Sequence, residues 1–158
     1  MNRFFLSIIL IMTMLTGACQ SAPEALPDDI VNKNLRTIPI TVQTTSKDLV
    51  FTAEIAATSR EQQIGLMNRT SLPAGKGMIF PHDPPKEANF WMKNTLIPLD
   101  LLFIGPDRRI IRIAHEAEPK SLSPIHSGGT VISVIEIQGG LSRELGIHEG
   151  DKVIYSLP

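Results

Sequence analysis

An aspartate inside an otherwise apolar run is the feature this chain must accommodate before any other. Residues 99–104 read Leu-Asp-Leu-Leu-Phe-Ile, a run short and apolar enough for a strand. Withdrawing the Asp100 carboxylate from water among Leu99, Leu101, Leu102 and Phe103 is costly unless it is paired or hydrogen-bonded, so it has either a structural partner or a ligand. Just upstream, Phe90, Trp91 and Met92 form a second apolar run that holds the chain's single tryptophan. Asn94, Thr95 and Pro98 lie between the runs, and the simplest reading of residues 90–104 is two strands meeting at a polar turn.

The rest of the domain repeats this grammar of short apolar runs and turn residues. Ile38, Ile40 and Val42 alternate with polar or small residues, Ser46-Lys47-Asp48 interrupts, and residues 49–56 resume, which predicts an opening hairpin. Thr58 with Glu61, and Ser59 with Gln62, both have capping-box spacing and predict a short helix through Met67. A loop at residues 71–77, a strand at Met78-Ile79-Phe80 and a Pro-rich loop at residues 81–86 follow. Beyond residue 104, Gly105-Pro106-Asp107 is a turn and Ile110, Ile111 and Ile113 mark the next strand, continuing the sheet as a meander. Residues 118–129 read as a surface loop and residues 131–138 as a strand, in which Glu136 shares a face with apolar neighbours. A helical turn at residues 141–145, stopped by Gly146, precedes a last strand from Lys152 to Leu157. Seven or eight short strands with one or two short helices predict a β-rich domain, all-β to α+β, mostly antiparallel and barrel-like or sandwich in form.

The N-terminus supplies an address. Arg3 precedes an apolar run of about a dozen residues, too short to span a bilayer, and small residues follow it up to Cys19. Residues 1–18 read as a signal peptide. Cys19 is the only cysteine, so no intrachain disulfide can form. Leu15-Thr16-Gly17-Ala18-Cys19 resembles a lipoprotein signal in which the cysteine carries lipid, although such signals place an aliphatic residue where Thr16 stands. Ordinary cleavage to a soluble periplasmic protein and an uncleaved anchor are the alternatives. Residues 19–36, with Pro23, Pro27 and few aliphatics, read as a tether. Gln20 after the cysteine points to the outer membrane. Residues 37–158, about 120 in all, are enough for a single domain and not for two.

Charge and motifs exclude more than they assign. Loss of Arg3 with the signal leaves 14 basic against 16 acidic residues, and no basic run suggests nucleic acid. Phosphate and dinucleotide motifs, a serine elbow and metal-like spacing are all missing. Met67, Met78 and Met92 with His82, His115 and His126 invite a copper reading, but their spacing suits core filler better. No cofactor or metal is expected. Asp100 and Glu136, as two carboxylates in apolar strands, could divide general-acid and general-base work. The competing reading is that each fixes strand register by hydrogen bonding or by pairing with Arg69 or Lys93, and it is the favoured one. Trp91 could stack on a sugar ring, and Asn94 could orient a ligand, though turn asparagines commonly bond their own backbone.

In order, Gly65-Leu66-Met67 with Arg69, Gly77-Met78 with Phe80, Phe90-Trp91-Met92 with Asn94-Thr95, Pro98-Leu99-Asp100 with Phe103-Ile104, Glu136, Gly139-Gly140 and Gly150-Asp151 resemble the domain-of-unknown-function family 192. The resemblance implies a compact, largely β domain, often exported, and implies no reaction. The chain departs from that family at Ile125-His126, where an aromatic is common. The expectation is therefore an exported, lipid-anchored β-domain of the cell envelope that binds a ligand or protein partner, with Trp91, Asn94, Asp100, Glu136 and Arg69 at or near its site. An envelope hydrolase using Asp100 and Glu136, and a scaffold whose polar residues serve folding alone, are the alternatives.

Overall fold

The computed structural model describes residues 31–158. The expected signal peptide and lipid site at Cys19 lie outside the described residues. Seven strands and two short helices follow one another as β1 (Thr37–Gln43), β2 (Asp48–Ile55), α1 (Ser59–Ile64), β3 (Lys76–Phe90), β4 (Leu99–Ile104), β5 (Ile110–Ala117), β6 (Ile125–Gln138), α2 (Leu141–Leu145) and β7 (Lys152–Ile154). The strands form one sheet in the order β5-β4-β6-β3-β2-β1-β7. Every neighbouring pair is antiparallel except β2 and β3, which run parallel because α1 and the segment after it return the chain to the same end of the sheet. The sheet is curled into a half-barrel whose edges meet at one end. There the Val153 N–H donates to Arg108 O at 2.8 Å and the Gly150 N–H to Ile110 O at 2.7 Å.

The two faces of this sheet bury different side chains. The enclosed face holds Ile40, Val42, Phe51, Ile79, Leu102, Ile135 and Val153. The opposite face holds Met78, Phe80, Leu101, Phe103 and Val134, and onto it pack Leu66, Leu72 and Met92 from the connections. Strand β4 is buried at every position, Asp100 included, as befits a strand with neighbours on both sides.

Local signals are realised where the chemistry is local. The β1–β2 hairpin turns at residues 44–47, the β4–β5 turn falls at residues 105–109, and Thr58 with Glu61 completes the capping box of α1. Gly146 stops α2 at φ 71°, a left-handed conformation that glycine adopts without steric cost.

Five expectations are corrected. Residues 90–104 are not a hairpin: β3 and β4 do not pair, because β6 lies between them and bonds both. Residues 81–86 are not a free loop but an irregular stretch within β3. Proline has no N–H to give the ladder, so pairing with β6 lapses between Pro81 and Lys86 and then resumes. Residues 125–129 belong to β6 rather than to a loop, and Ser127 repairs the register shift there. Its hydroxyl accepts from the Ala88 N–H at 3.0 Å and donates to Gly129 O at 2.6 Å. The last strand is shorter than expected, ending at Ile154. Packing also begins within the segment read as tether: Asn32 is buried, and its amide donates to Glu61 O at 2.9 Å and Gly65 O at 3.1 Å.

Candidate functional site

Strand register decides which of the polar residues can meet. Asp100 lies opposite Ile137, and Leu101 lies opposite Glu136. Directly paired residues share a face and successive residues alternate, so Asp100 and Glu136 point to opposite sides of the sheet. They are not one acid–base site.

Asp100 is fully buried and completely engaged. One carboxylate oxygen accepts the Glu116 N–H at 2.7 Å and the Gly140 N–H at 2.9 Å; the other accepts the Ser142 N–H at 2.9 Å and the Ser142 hydroxyl at 2.6 Å. Burial alone would raise its pKa, but the Ser142 hydroxyl and the three backbone donors outweigh burial and hold it below its ordinary value. The α2 N-cap is Gly140, which has no side chain to offer, and Asp100 supplies the missing carboxylate from a neighbouring strand. Ser142 Oγ also lies 2.9 Å from His115 Nδ1. The order is Asp–Ser–His, with the hydroxyl proton given to the carboxylate. No base stands ready to withdraw that proton, and Ser142 is fully buried, so the trio ties β4, β5 and α2 together rather than activating a nucleophile.

Glu136 lines a concavity on the other face. A cavity of about 550 Å³ opens between α1 with the turn after it, the irregular part of β3 and the loop after Phe90. Ile64, Leu66, Phe80 and Ala88 form its buried wall, and Lys86, Glu87 and Trp91 stand exposed at its mouth. Glu136, only 5% exposed, is the carboxyl on the inner wall. Burial pushes its pKa up to about 8 against a smaller opposing effect of Arg69.

The weakness of that opposition has a structural cause. Glu54 of β2, Met78 of β3 and Glu136 of β6 occupy one row across the sheet. Arg69 donates through Nη1 and Nη2 to the two oxygens of Glu54, at 2.6 and 2.7 Å, and through Nη2 to Asn32 O at 3.2 Å. Its guanidinium is thus committed to Glu54, while its Nε is buried without a partner among the described residues. Arg69 does not line the cavity.

Of the other expected site residues, Trp91 is 48% exposed at the mouth, with the Lys93 ammonium 5.5 Å from its ring centre. Phe90 and Met92 on either side turn inward, Met92 being fully buried. Asn94 takes a left-handed turn conformation at φ 55°, its carbonyl accepts the Asn68 N–H at 2.8 Å, and its neighbour Thr95 lines the cavity instead. His82 was not singled out for this site. It is half-buried in the cavity, its Nε2 has no partner among the described residues, and burial, aided by the Lys86 charge, lowers its pKa. The Pro-rich setting that made residues 81–86 look like a solvated loop conceals it; only the strand resuming at Lys86 folds it inward. Among the described residues, no cluster of three or more His, Cys, Asp or Glu side chains is placed to hold a metal ion.

A family model described as "Uncharacterized ACR" (DUF192) matches residues 40–155. The chain belongs to this family. A protein of unknown function from Novosphingobium aromaticivorans is 46% identical over 90% of this chain and 99% of its own, with a TM-score of 0.76. A proposed transcription regulator from Sinorhizobium meliloti is 31% identical over 79% of this chain and 98% of its own, also with a TM-score of 0.76. No curated protein matches. Membership in DUF192 fixes the fold of residues 40–155 and carries no reaction with it.

Proposed function

We propose that this DUF192 protein is an exported, lipid-anchored component of the bacterial cell envelope whose β-domain is a binding module, with the cavity at Glu136 as its site. The observation that carries the reading is a carboxyl withdrawn from water on the wall of an open cavity of about 550 Å³, with an exposed tryptophan at the mouth. Concave, largely apolar sites with a few convergent polar groups are where ligands bind. A carboxyl that merely fixes the fold is expected to look like Asp100, with its oxygens saturated by donors. The hydrolase reading loses its support, since the two carboxylates it needs face opposite ways. The envelope address rests on the signal-like N-terminus and on Cys19.

Two measurements test these halves separately. Backbone-amide NMR of the folded domain during titration with a small-fragment set is expected to show saturable shifts clustered on His82, Trp91, Thr95 and Glu136. Shifts confined to other surfaces, or none at all, would refute the binding site. Mass spectrometry of the mature protein is expected to find acylated Cys19 as the first residue; an unmodified N-terminus at another residue would refute the anchor.

A further inference from the structure

The charges around the cavity discriminate among ligands. Those facing Glu136 come from β3, as His82, Lys86 and Glu87, and from the turn after α1, as Arg69, which Glu54 of β2 holds. Helix α1 contributes only Gln62 and Gln63 as long polar lining side chains, β4 sets Leu101 beside Glu136, and the loop after Phe90 offers Thr95, with Lys93 lying over the Trp91 ring. Among the described residues, the one cation that acts on Glu136 is therefore already spent on another carboxylate.

A cationic ligand would have to shed its own hydration, desolvate Glu136 further as an anion, and pass Lys86 at the mouth toward the field of Arg69. An anion would have to give up its own hydration against the apolar wall of Ile64, Leu66, Phe80 and Ala88. An uncharged ligand avoids both costs. The apolar wall accepts its flat face, and a neutral carboxylic acid can donate a hydrogen bond to its oxygen.

We infer that the cavity takes an uncharged, ring-bearing ligand whose carbonyl or hydroxyl oxygen is hydrogen-bonded to the buried Glu136 carboxyl on its wall. This rests on the binding reading above and adds the ligand's chemistry to it. Sugar rings with an acetamido group and aromatic amides share that chemistry.

The test uses probes matched in shape and different in charge. N-acetylglucosamine, glucosamine and glucuronate form one set; benzamide, benzylamine and benzoate form the other. Each is titrated into the folded domain at pH 6 and pH 9, following Trp91 emission and amide shifts at the cavity. At pH 6 the uncharged member of at least one set is expected to bind tenfold or more tightly than its charged counterparts, and the responding set tells the sugar source from the aromatic one. With Glu136 losing its proton near pH 8, affinity for the uncharged probe is expected to fall roughly tenfold by pH 9. Glu136→Gln, which keeps a donor and cannot ionise, should remove that pH dependence. The charge ranking on the unaltered protein needs no variant to fold. Tighter binding of benzylamine or glucosamine, or an affinity for the uncharged probe that is flat or rises with pH, would overturn the inference and leave the binding site standing. No cavity shift with any probe would overturn both.

Discussion

Asp100→Asn separates architecture from site. The change preserves shape but turns one of two acceptor oxygens into a donor. If the new amide nitrogen replaces the oxygen facing Ser142, the hydroxyl can rotate to accept from it, but the Ser142 N–H loses its partner. If it replaces the other oxygen, the N–H groups of Glu116 and Gly140 both lose theirs. The better arrangement still orphans one buried donor and strips the remaining bonds of their charge, which together cost about 3 kcal/mol. For a domain of this size that lowers Tm by roughly 10–15 °C. Because the folded carboxyl titrates below its ordinary value of 3.8, the stabilisation is present above that pH and lost as pH falls through the folded value. The gap between variant and parent should therefore close in strong acid. Calorimetry or urea unfolding from about pH 2 to pH 7 reads the effect, and probe binding at the cavity should be unchanged in the folded variant. A variant as stable as its parent that no longer binds would refute the structural assignment of Asp100.

Glu136 predicts the opposite pH course: with a folded value of about 8 against an ordinary 4.5, the folded state keeps a proton that the unfolded chain gives up. Stability should decline as pH rises from 4.5 to about 8, by on the order of 5 kcal/mol in all, and the decline should vanish in Glu136→Gln when urea unfolding is compared at pH 5 and pH 8. Arg69→Leu leaves Glu54 without its counter-ion in a largely buried pair and should cost about 2–3 kcal/mol by the same assay, while moving the Glu136 titration higher. Gly77→Ala would set a methyl group 2.6 Å from the Glu136 carbonyl oxygen, so the β3–β6 ladder must shift; a loss of about 2 kcal/mol or more is expected, read from the urea midpoint.

What the sequence made legible is what a few neighbouring residues decide. Gly105-Pro106-Asp107, Gly146 and the Thr58–Glu61 pair each act within a turn, and each does what its chemistry dictates. The alternation that placed Glu136 on an apolar face is equally local. Partner choice is not: the insertion of β6 between β3 and β4 joins residues far apart in the chain, and no property of residues 90–104 announces it. The same gap hid the separation of Asp100 from Glu136, since their faces depend on the β4–β6 register rather than on either run alone. Asp100 was legible as a buried carboxylate needing partners, but its donors lie on Glu116, Gly140 and Ser142, two of them backbone groups only. Backbone donors leave no trace in composition. Trp91 was legible as one of three adjacent large side chains that cannot all turn inward, and the exposed one proves to be the tryptophan.

The central claim is that the cavity presents a carboxyl kept neutral by burial, and the Glu136 carboxyl resonance tests it most directly. Carbon-13 NMR of the side-chain carboxyl, titrated from pH 4 to pH 10 and assigned by its loss in Glu136→Gln, is expected to show a midpoint near 8. A midpoint in the ordinary glutamate range, about 4 to 5, would mean that water or an unrecognised partner reaches the carboxyl, and would contradict the account.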